Sequence, residues 1–203
     1  MLAQYIADEA VSLYAVRAIA DLAANNPNNQ TKLGVHGACE ALVTFLRGTL
    51  PPDDRFAISH AIVTLPAEQR ANMAKWGCWA VGNIVQLGKG AAMVIDEGAG
   101  KKAARSTVTV KNTARLGSAG GDEVLVAVLA AFSTDAAVAQ WASRAINNLA
   151  KSKTLRGQLL EKGAMEALED AATKHEAITG PAGQPPAREW IDMAIATLKT
   201  IDA

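Results

Sequence analysis

The residues that could do acid–base, nucleophilic or metal chemistry are few and lie far apart in this sequence. The chain has three histidines and two cysteines: His36, His60, His175, Cys39 and Cys78. No two of them have the spacing of a zinc site, and Ser59 and His60 are adjacent, which is not how a nucleophile and its base are arranged. The sequence therefore predicts a protein that is not an enzyme and that needs no metal or cofactor.

One glycine motif has the outline of a nucleotide-binding turn. The stretch VIDEGAGKKA (94–103) contains GxGxxA, which would place Gly98 and Gly100 beneath a pyrophosphate. The apolar run before it, Val94–Ile95, is too short for a core strand, and no βαβ pattern surrounds it. Binding of a nucleotide or another small molecule is therefore a third interpretation that we do not favour.

Composition favours a helical protein inside the cell. Half of the 203 residues are hydrophobic but only 4% are aromatic, so alanine and leucine, which favour helix, must do most of the packing. The formal net charge is zero, which argues against nucleic acid or a membrane surface as partner. No apolar run approaches the roughly 20 residues of a membrane span. The first ten residues carry acids and no basic region, so we expect no secretory signal, reduced cysteines and a cytoplasmic location.

Four segments repeat one pattern, and each predicts a helix. They are YAVRAIADLA (14–23), WGCWAVGNIV (76–85), WASRAINNLA (141–150) and WIDMAIATLK (190–199). Each begins with an aromatic residue, followed by alanine four later, a β-branched residue five later, a short polar residue seven later, and Leu or Ile after that. We call them the anchor segments and expect helices near 9–25, 67–87, 134–150 and 187–202. We expect Trp76, Trp141 and Trp190 to be buried and the polar residue to point away from them.

A second motif recurs between the anchor segments. GACEALVTFL (37–46), GGDEVLVAVL (120–129) and GAMEALEDAA (163–172) share a glycine, a glutamate three residues later and a leucine-rich run. The glycine predicts the end of a short helix, where the backbone takes a positive φ, and the run after it predicts the next helix.

These motifs resemble the armadillo repeat. WAVGNIVQLGKGAAMVIDEGA (79–99) is similar to the importin-alpha version of that repeat, with Trp79 four residues before Asn83. The resemblance implies an all-α, right-handed superhelix (an α-solenoid) of three to four divergent three-helix repeats, forming one array over residues 1–203. The HEAT repeat is the nearest alternative, but the asparagine and the Gly-Ala step favour armadillo.

Two insertions are expected, because armadillo units run about 40–47 residues. The first residues of the anchor segments are 62, 65 and 49 apart (14 to 76, 76 to 141, 141 to 190). We place the insertions near 48–66 and 99–119 and expect the second to be irregular. It carries five cations, Lys101, Lys102, Arg105, Lys111 and Arg115. These cations form either a solvated loop or an electrostatic hook for an acidic protein or a phosphate-bearing polymer.

The resemblance also implies a binding site. In armadillo proteins the third helix of each unit lines a concave groove, where its asparagine bonds the backbone of an extended peptide. The matching groove positions here are Arg17, Asp21, Trp79, Asn83, Arg144 and Asn148. Alternatively, Asn83 and Asn148 only satisfy local backbone groups between units. Arg17 and Arg144 stand where tryptophans would, which favours an acidic or phosphorylated segment over a basic one.

Two functions follow as hypotheses. The first is a non-enzymatic protein–protein interaction scaffold or adaptor that binds such a segment in its groove. The alternative is a structural subunit of a large multiprotein assembly, held through its array ends and insertions.

Overall fold

A computed structural model describes residues 8–51, 65–86, 111–175 and 186–200, and all regular structure in these ranges is helical. The helices are α1 (Glu9–Ala23), α2 (Pro27–Val35), α3 (Ala38–Thr49), α4 (Ala67–Ile84), α5 (helical over 111–118), α6 (Gly121–Ala131), α7 (Ala136–Ala150), α8 (Lys153–Glu161), α9 (Ala164–Lys174) and α10 (Ala187–Leu198). The all-α prediction is confirmed for the described residues. None of their helices is both long and apolar enough to cross a membrane.

The longer helices form two layers, and a short helix connects each anchor helix to the second-layer helix that follows it in the chain. The anchor segments form α1, α4, α7 and α10, which lie side by side in chain order. Helices α3, α6 and α9 form the second layer in the same order, and α2 and α8 contact both layers. Buried alanine, valine and leucine side chains fill the space between the layers, with Phe45 the largest side chain that is fully buried. From α2 onward, a short helix, a second-layer helix and an anchor helix therefore recur three times.

Three glycines set the corner between each short helix and the second-layer helix after it. Gly37, Gly120 and Gly163 have φ values of 79°, 80° and 83°, and each is the N-cap residue of α3, α6 or α9. Residues with a Cβ rarely adopt this left-handed conformation, so glycine is required at all three corners. The predicted positive φ is confirmed at each position.

Each short helix also satisfies the end of the anchor helix before it. Its polar side chain donates to the last carbonyl of that anchor helix, which has no partner within its own helix. The three bonds are Gln30 Nε2 to Ala23 O (3.0 Å), Asn112 Nδ2 to Ile84 O (3.2 Å) and Arg156 Nε to Ala150 O (3.0 Å). The short helices therefore hold the anchor helices by side-chain hydrogen bonds as well as by packing.

The expectation that 99–119 is irregular is wrong for its second half. Residues 111–118 form α5, in which Leu116, Asn112 and Thr113 are buried. The reason is the three-helix unit itself, since a short helix must precede the Gly120 corner, and Leu116 gives that helix an apolar contact with the core. Residues 99–110, and 52–64 of the first insertion, lie outside the described residues. The prediction of one continuous array stays a prediction.

Candidate binding face of the anchor helices

One stripe of side chains runs along the same side of every anchor helix. It contains the aromatic residue and the residues three, seven and ten positions later, which share one side of an α-helix. We call the following residues the anchor face: Tyr14, Arg17 and Asp21 on α1; Trp76, Trp79 and Asn83 on α4, with Gln86 just beyond its end; Trp141, Arg144 and Asn148 on α7, with its C-cap residue Lys151; Trp190, Met193 and Thr197 on α10. All six predicted groove residues belong to it. Because the four helices lie side by side, the anchor face crosses the whole layer.

The tryptophans on this face are half-buried, so the prediction that Trp76, Trp141 and Trp190 are fully buried is wrong. Residues seven apart are rotated by only about 20° on a helix, so the aromatic and the polar residue must share a side. Trp76, expected in the core, and Trp79, expected in the groove, are both half-buried and lie side by side. Their ring centroids are 5.0 Å apart, and those of Trp79 and Trp141 are 5.6 Å apart.

The two arginines connect the aromatic rings into a continuous series. The distances from guanidinium carbon to ring centroid are 5.9 Å for Arg17–Tyr14, 4.4 Å for Arg17–Trp76, 5.3 Å for Arg144–Trp141 and 5.7 Å for Arg144–Trp190. All four are within the range of a cation–π contact. We call the series the aromatic–arginine ladder: Tyr14, Arg17, Trp76, Trp79, Trp141, Arg144 and Trp190. It spans all four anchor helices without a break.

The asparagines lie at the bottom of the anchor face, and the expectation that Asn148 points outward is wrong. Asn83 is 2% exposed and donates from Nδ2 to Ala20 O on α1 (3.0 Å), while Asn148 is 8% exposed and donates to Gly82 O on α4 (3.1 Å). Both acceptors are the sixth residue after the aromatic of the preceding anchor helix. The alternative role, in which these amides satisfy backbone groups between units, is the one that the hydrogen bonds support.

Arg144 is also buried, at 8% exposed, and not outward-facing as expected. Its Nη2 donates to Gln86 Oε1 at 2.8 Å, and burial lowers the pKa of its guanidinium. Lys151 Nζ donates to Asn148 Oδ1 at 2.9 Å, and its pKa is lowered by burial and then by the charge of Arg144. Both acceptors are neutral amides. In the described part of the chain no carboxylate forms an ion pair with either cation.

Sequence reasoning missed Lys151 and Gln86, which lie just beyond the ten-residue repeat. Their signal was available, because both stand ten positions after a tryptophan. Within the described ranges no ion pair joins Asp21 and Arg17, which are both exposed. Arg17 instead covers the rings of Tyr14 and Trp76.

The basic insertion is only partly described. Lys101, Lys102 and Arg105 lie outside the described residues. Lys111 is exposed, whereas Arg115 is half-buried and donates to Asn112 Oδ1 at 3.1 Å. Arg115 is therefore used within the fold.

The remaining titratable groups of the described residues do not come together at one place. Cys39 and Cys78 are buried and free, and burial raises the pKa of Cys39 to about 12 and that of Cys78 still higher. His175 is buried with Nε2 2.7 Å from Ser133 O. Among the described residues, no three His, Cys, Asp or Glu side chains are placed to hold a metal ion.

A separate groove, with a volume of about 710 Å³, lies on the second layer between α6 and α9. Its floor is made of small apolar residues such as Ala127 and Ala167. Its lining includes four acids and one lysine: Glu123, Glu161, Glu166, Asp170 and Lys162. The anchor face instead carries Arg17, Arg144 and Lys151 against a single carboxylate, Asp21. The two surfaces therefore differ in the sign of their charge.

Comparisons of the chain with models of protein families, with curated proteins and with solved structures found no match. What the anchor face can do therefore has to be argued from its own geometry, which is a row of aromatic rings at the surface with positive charge beside them.

Proposed function

We propose that the protein is a non-enzymatic interaction scaffold of the armadillo type, whose anchor face binds an extended segment of a partner protein. The three-helix units, the left-handed glycine at each corner and the side-by-side anchor helices support this proposal, which includes a right-handed superhelix. The two free, buried cysteines fit the cytoplasmic, reducing location that we propose with it.

The aromatic–arginine ladder is the observation that carries the proposal. Tryptophan, tyrosine and arginine are the residues that most often dominate the energy of protein interfaces, because they bury much area and keep a polar group. Half-exposed rings give up water readily when a ligand covers them. Packed helices are about 8–10 Å apart, so three steps across the ladder span roughly 25–30 Å. An extended chain of about eight residues covers that length at roughly 3.3 Å per residue.

The charges of the anchor face favour an acidic or phosphorylated segment. Arg17, Arg144 and Lys151 outnumber Asp21, and the two arginines already lie over the rings that would otherwise bind a cation. A lysine- or arginine-rich segment would meet like charge here. Guanidinium groups held by stacking can instead form paired hydrogen bonds with carboxylate or phosphate.

A peptide selection tests the proposal. Random peptides displayed on phage are selected against the purified chain, and the affinities of the selected peptides are then measured by calorimetry. We expect Trp79→Ala and Arg17→Ala each to weaken binding by about tenfold, since each removes a central contact. The matched control is Val35→Ala, which truncates a side chain that is 62% exposed on α2, away from the ladder.

Circular dichroism establishes that each variant is folded. Selected peptides that bind both ladder variants as tightly as the wild type would overturn the proposal. So would peptides that lose affinity equally with Val35→Ala.

One observation favours the second candidate, a structural subunit of a large assembly. The first anchor helix has exposed apolar side chains at Val11 and Leu22, and Val35 of α2 lies exposed at the same end of the layers. A neighbouring subunit could cover this end, since repeat arrays need their terminal faces covered or polar. Purification of the native protein in one complex of constant stoichiometry, lost on Leu22→Asp, would support this role.

A further inference from the structure

We propose that Arg144 and Lys151 form an oxyanion site that binds the phosphate group of a phosphorylated side chain. This inference rests on the proposed function, because the phosphorylated residue belongs to the segment bound on the anchor face. This part of the anchor face recognises the phosphate of the segment, whereas the aromatic–arginine ladder is a surface that any extended segment could cover.

The first argument is charge that the fold leaves uncompensated. Arg144 is 8% exposed and Lys151 is half-buried, yet the acceptors they use, Gln86 Oε1 and Asn148 Oδ1, are neutral. Withdrawing two like charges from water costs free energy unless an opposite charge compensates them. Within the described ranges the only ion pairs found lie elsewhere, on α6, α8–α9 and α10. An incoming anion would supply what is missing.

The second argument is that both cations still have donors to offer. A guanidinium has five N–H groups and an ammonium has three. Arg144 uses one nitrogen on Gln86, and its other nitrogens are not among the enclosed, unpartnered atoms of the described residues, so they reach solvent. Lys151 uses one hydrogen on Asn148. Both cations therefore keep N–H groups for a ligand, and they are near enough for the charge of Arg144 to help lower the pKa of Lys151.

The third argument is that the donors are held in place before a ligand arrives. The Arg144 guanidinium lies between the rings of Trp141 and Trp190, and its end is bonded to Gln86. The Asn148 amide that holds Lys151 is itself fixed to Gly82 O. Little side-chain freedom is left to lose on binding, which favours affinity.

A phosphate matches this site better than a carboxylate does. The phosphate of a modified side chain carries a charge of about −1.5 to −2 near pH 7, close to the combined charge of the two cations. Its three oxygens can accept two N–H groups from the arginine and a third from the lysine, whereas a carboxylate has one charge and two oxygens.

The test uses the whole chain with two small probes, phenyl phosphate and benzoate, at constant ionic strength. Affinity is measured by calorimetry and by the rise in the midpoint of thermal unfolding. We expect phenyl phosphate to bind at least about tenfold more tightly than benzoate, and Lys151→Met to weaken it by about tenfold, as loss of a charge-assisted hydrogen bond does.

Lys199→Met is a matched control, because Lys151 and Lys199 are the C-cap residues of α7 and α10 and each substitution removes one positive charge. Lys199 is exposed, so this variant should bind like the wild type. Arg144→Lys is the second test variant, since it keeps the positive charge but removes the paired N–H donors of the guanidinium. It should also weaken the binding of phenyl phosphate.

Equal affinity for the two probes, or equal losses in Lys151→Met and Lys199→Met, would overturn the site. The proposed function fails separately, if peptides selected on the wild type ignore Trp79→Ala and Arg17→Ala. A protein that passes the peptide test and fails the phosphate test binds segments on its ladder without reading a phosphate.

Discussion

Replacing Asn148 by alanine should markedly lower the free energy of unfolding, because its side chain is buried between two anchor helices. The change removes the Nδ2 donor to Gly82 O and the Oδ1 acceptor of Lys151 Nζ. Asn83→Ala is the natural comparison, because Asn83 makes the same inter-helix bond one unit earlier, to Ala20 O.

The two variants should lose different amounts of stability, because one backbone acceptor keeps a hydrogen-bond partner and the other does not. Ala20 O also accepts from Ala24 N (3.1 Å), so it keeps one partner when Asn83 is removed. Gly82 lies in the last turn of α4, where the N–H four residues on, that of Gln86, bonds to Asn83 O instead (3.2 Å). A net hydrogen bond is worth about 1 kcal/mol, and a buried acceptor left unpaired costs about 1–3 kcal/mol. We therefore expect about 1 kcal/mol for Asn83→Ala and about 2–3 kcal/mol for Asn148→Ala.

Urea unfolding, followed by circular dichroism and tryptophan fluorescence, measures both losses. The control is Asn72→Ala, an exposed asparagine on α4, which should change the free energy of unfolding by less than about 0.5 kcal/mol. If Asn148→Ala behaves like Asn72→Ala, the amide does not hold α7 to α4. If Asn83→Ala costs the more of the two, the reasoning from acceptor satisfaction is refuted.

Three further predictions concern interior positions. Ser143→Ala should raise the free energy of unfolding by about 1 kcal/mol in urea titration, because Ser143 Oγ is enclosed without a hydrogen-bond partner. A lower free energy of unfolding in this variant would mean that Ser143 Oγ does have a partner. Gly120→Ala should lower the free energy of unfolding by about 1–3 kcal/mol, since φ is +80° and the new Cβ would lie 2.6 Å from Arg47 Nη2. Gly157→Ala is the control, because this glycine lies in open space on α8, and it should leave the free energy of unfolding unchanged or raise it. The Cys39 and Cys78 thiols should resist alkylation until the chain unfolds. Because burial raises both thiol pKa values, the free energy of unfolding should fall as pH rises above about 8.5, the pKa of a thiol in the unfolded chain. Thiol labelling of the native protein at neutral pH as fast as in urea would contradict the burial of the two cysteines.

Positions and types of the anchor residues could be predicted, because they repeat at fixed offsets. The second motif likewise identified the three glycines in the left-handed conformation, which only glycine adopts without strain. The offsets in the anchor segments also placed all six predicted groove residues on one face. Fixed spacing within a helix reports which side chains share a side, so these features follow from local geometry alone.

Which way that side faces could not be read from spacing. A tryptophan such as Trp141 can fill a core or lie half-covered at the surface, and its period is the same in both cases. The acceptor of Asn148 is a backbone carbonyl 66 residues away, on Gly82, which leaves no mark on the local sequence. The prediction of a solvent-facing amide failed for this reason.

The bonds from the short helices were invisible for a different reason. Gln30, Asn112 and Arg156 have one task but three different side chains, so no repeated letter marks them. Helix α5 was hidden as well, because its few large apolar residues lie beside a run of cations, and the run suggested a solvated loop.

The two amide bonds between neighbouring anchor helices both run backward along the chain, and this direction bears on how such a protein can lengthen. In both bonds a backbone carbonyl at the sixth position of one anchor helix (Ala20 on α1, Gly82 on α4) accepts from the asparagine at the seventh position of the next. A gene duplication that copied the α5–α7 unit beside itself would place Asn148 of the new copy against the residue matching Gly82, which is Asn147. The array could thus grow by whole units with its donor register already matched. A unit added before α1 would meet Asp21, whose carboxylate stands at the donor position and has no N–H to donate. A unit added at that end would therefore find no donor.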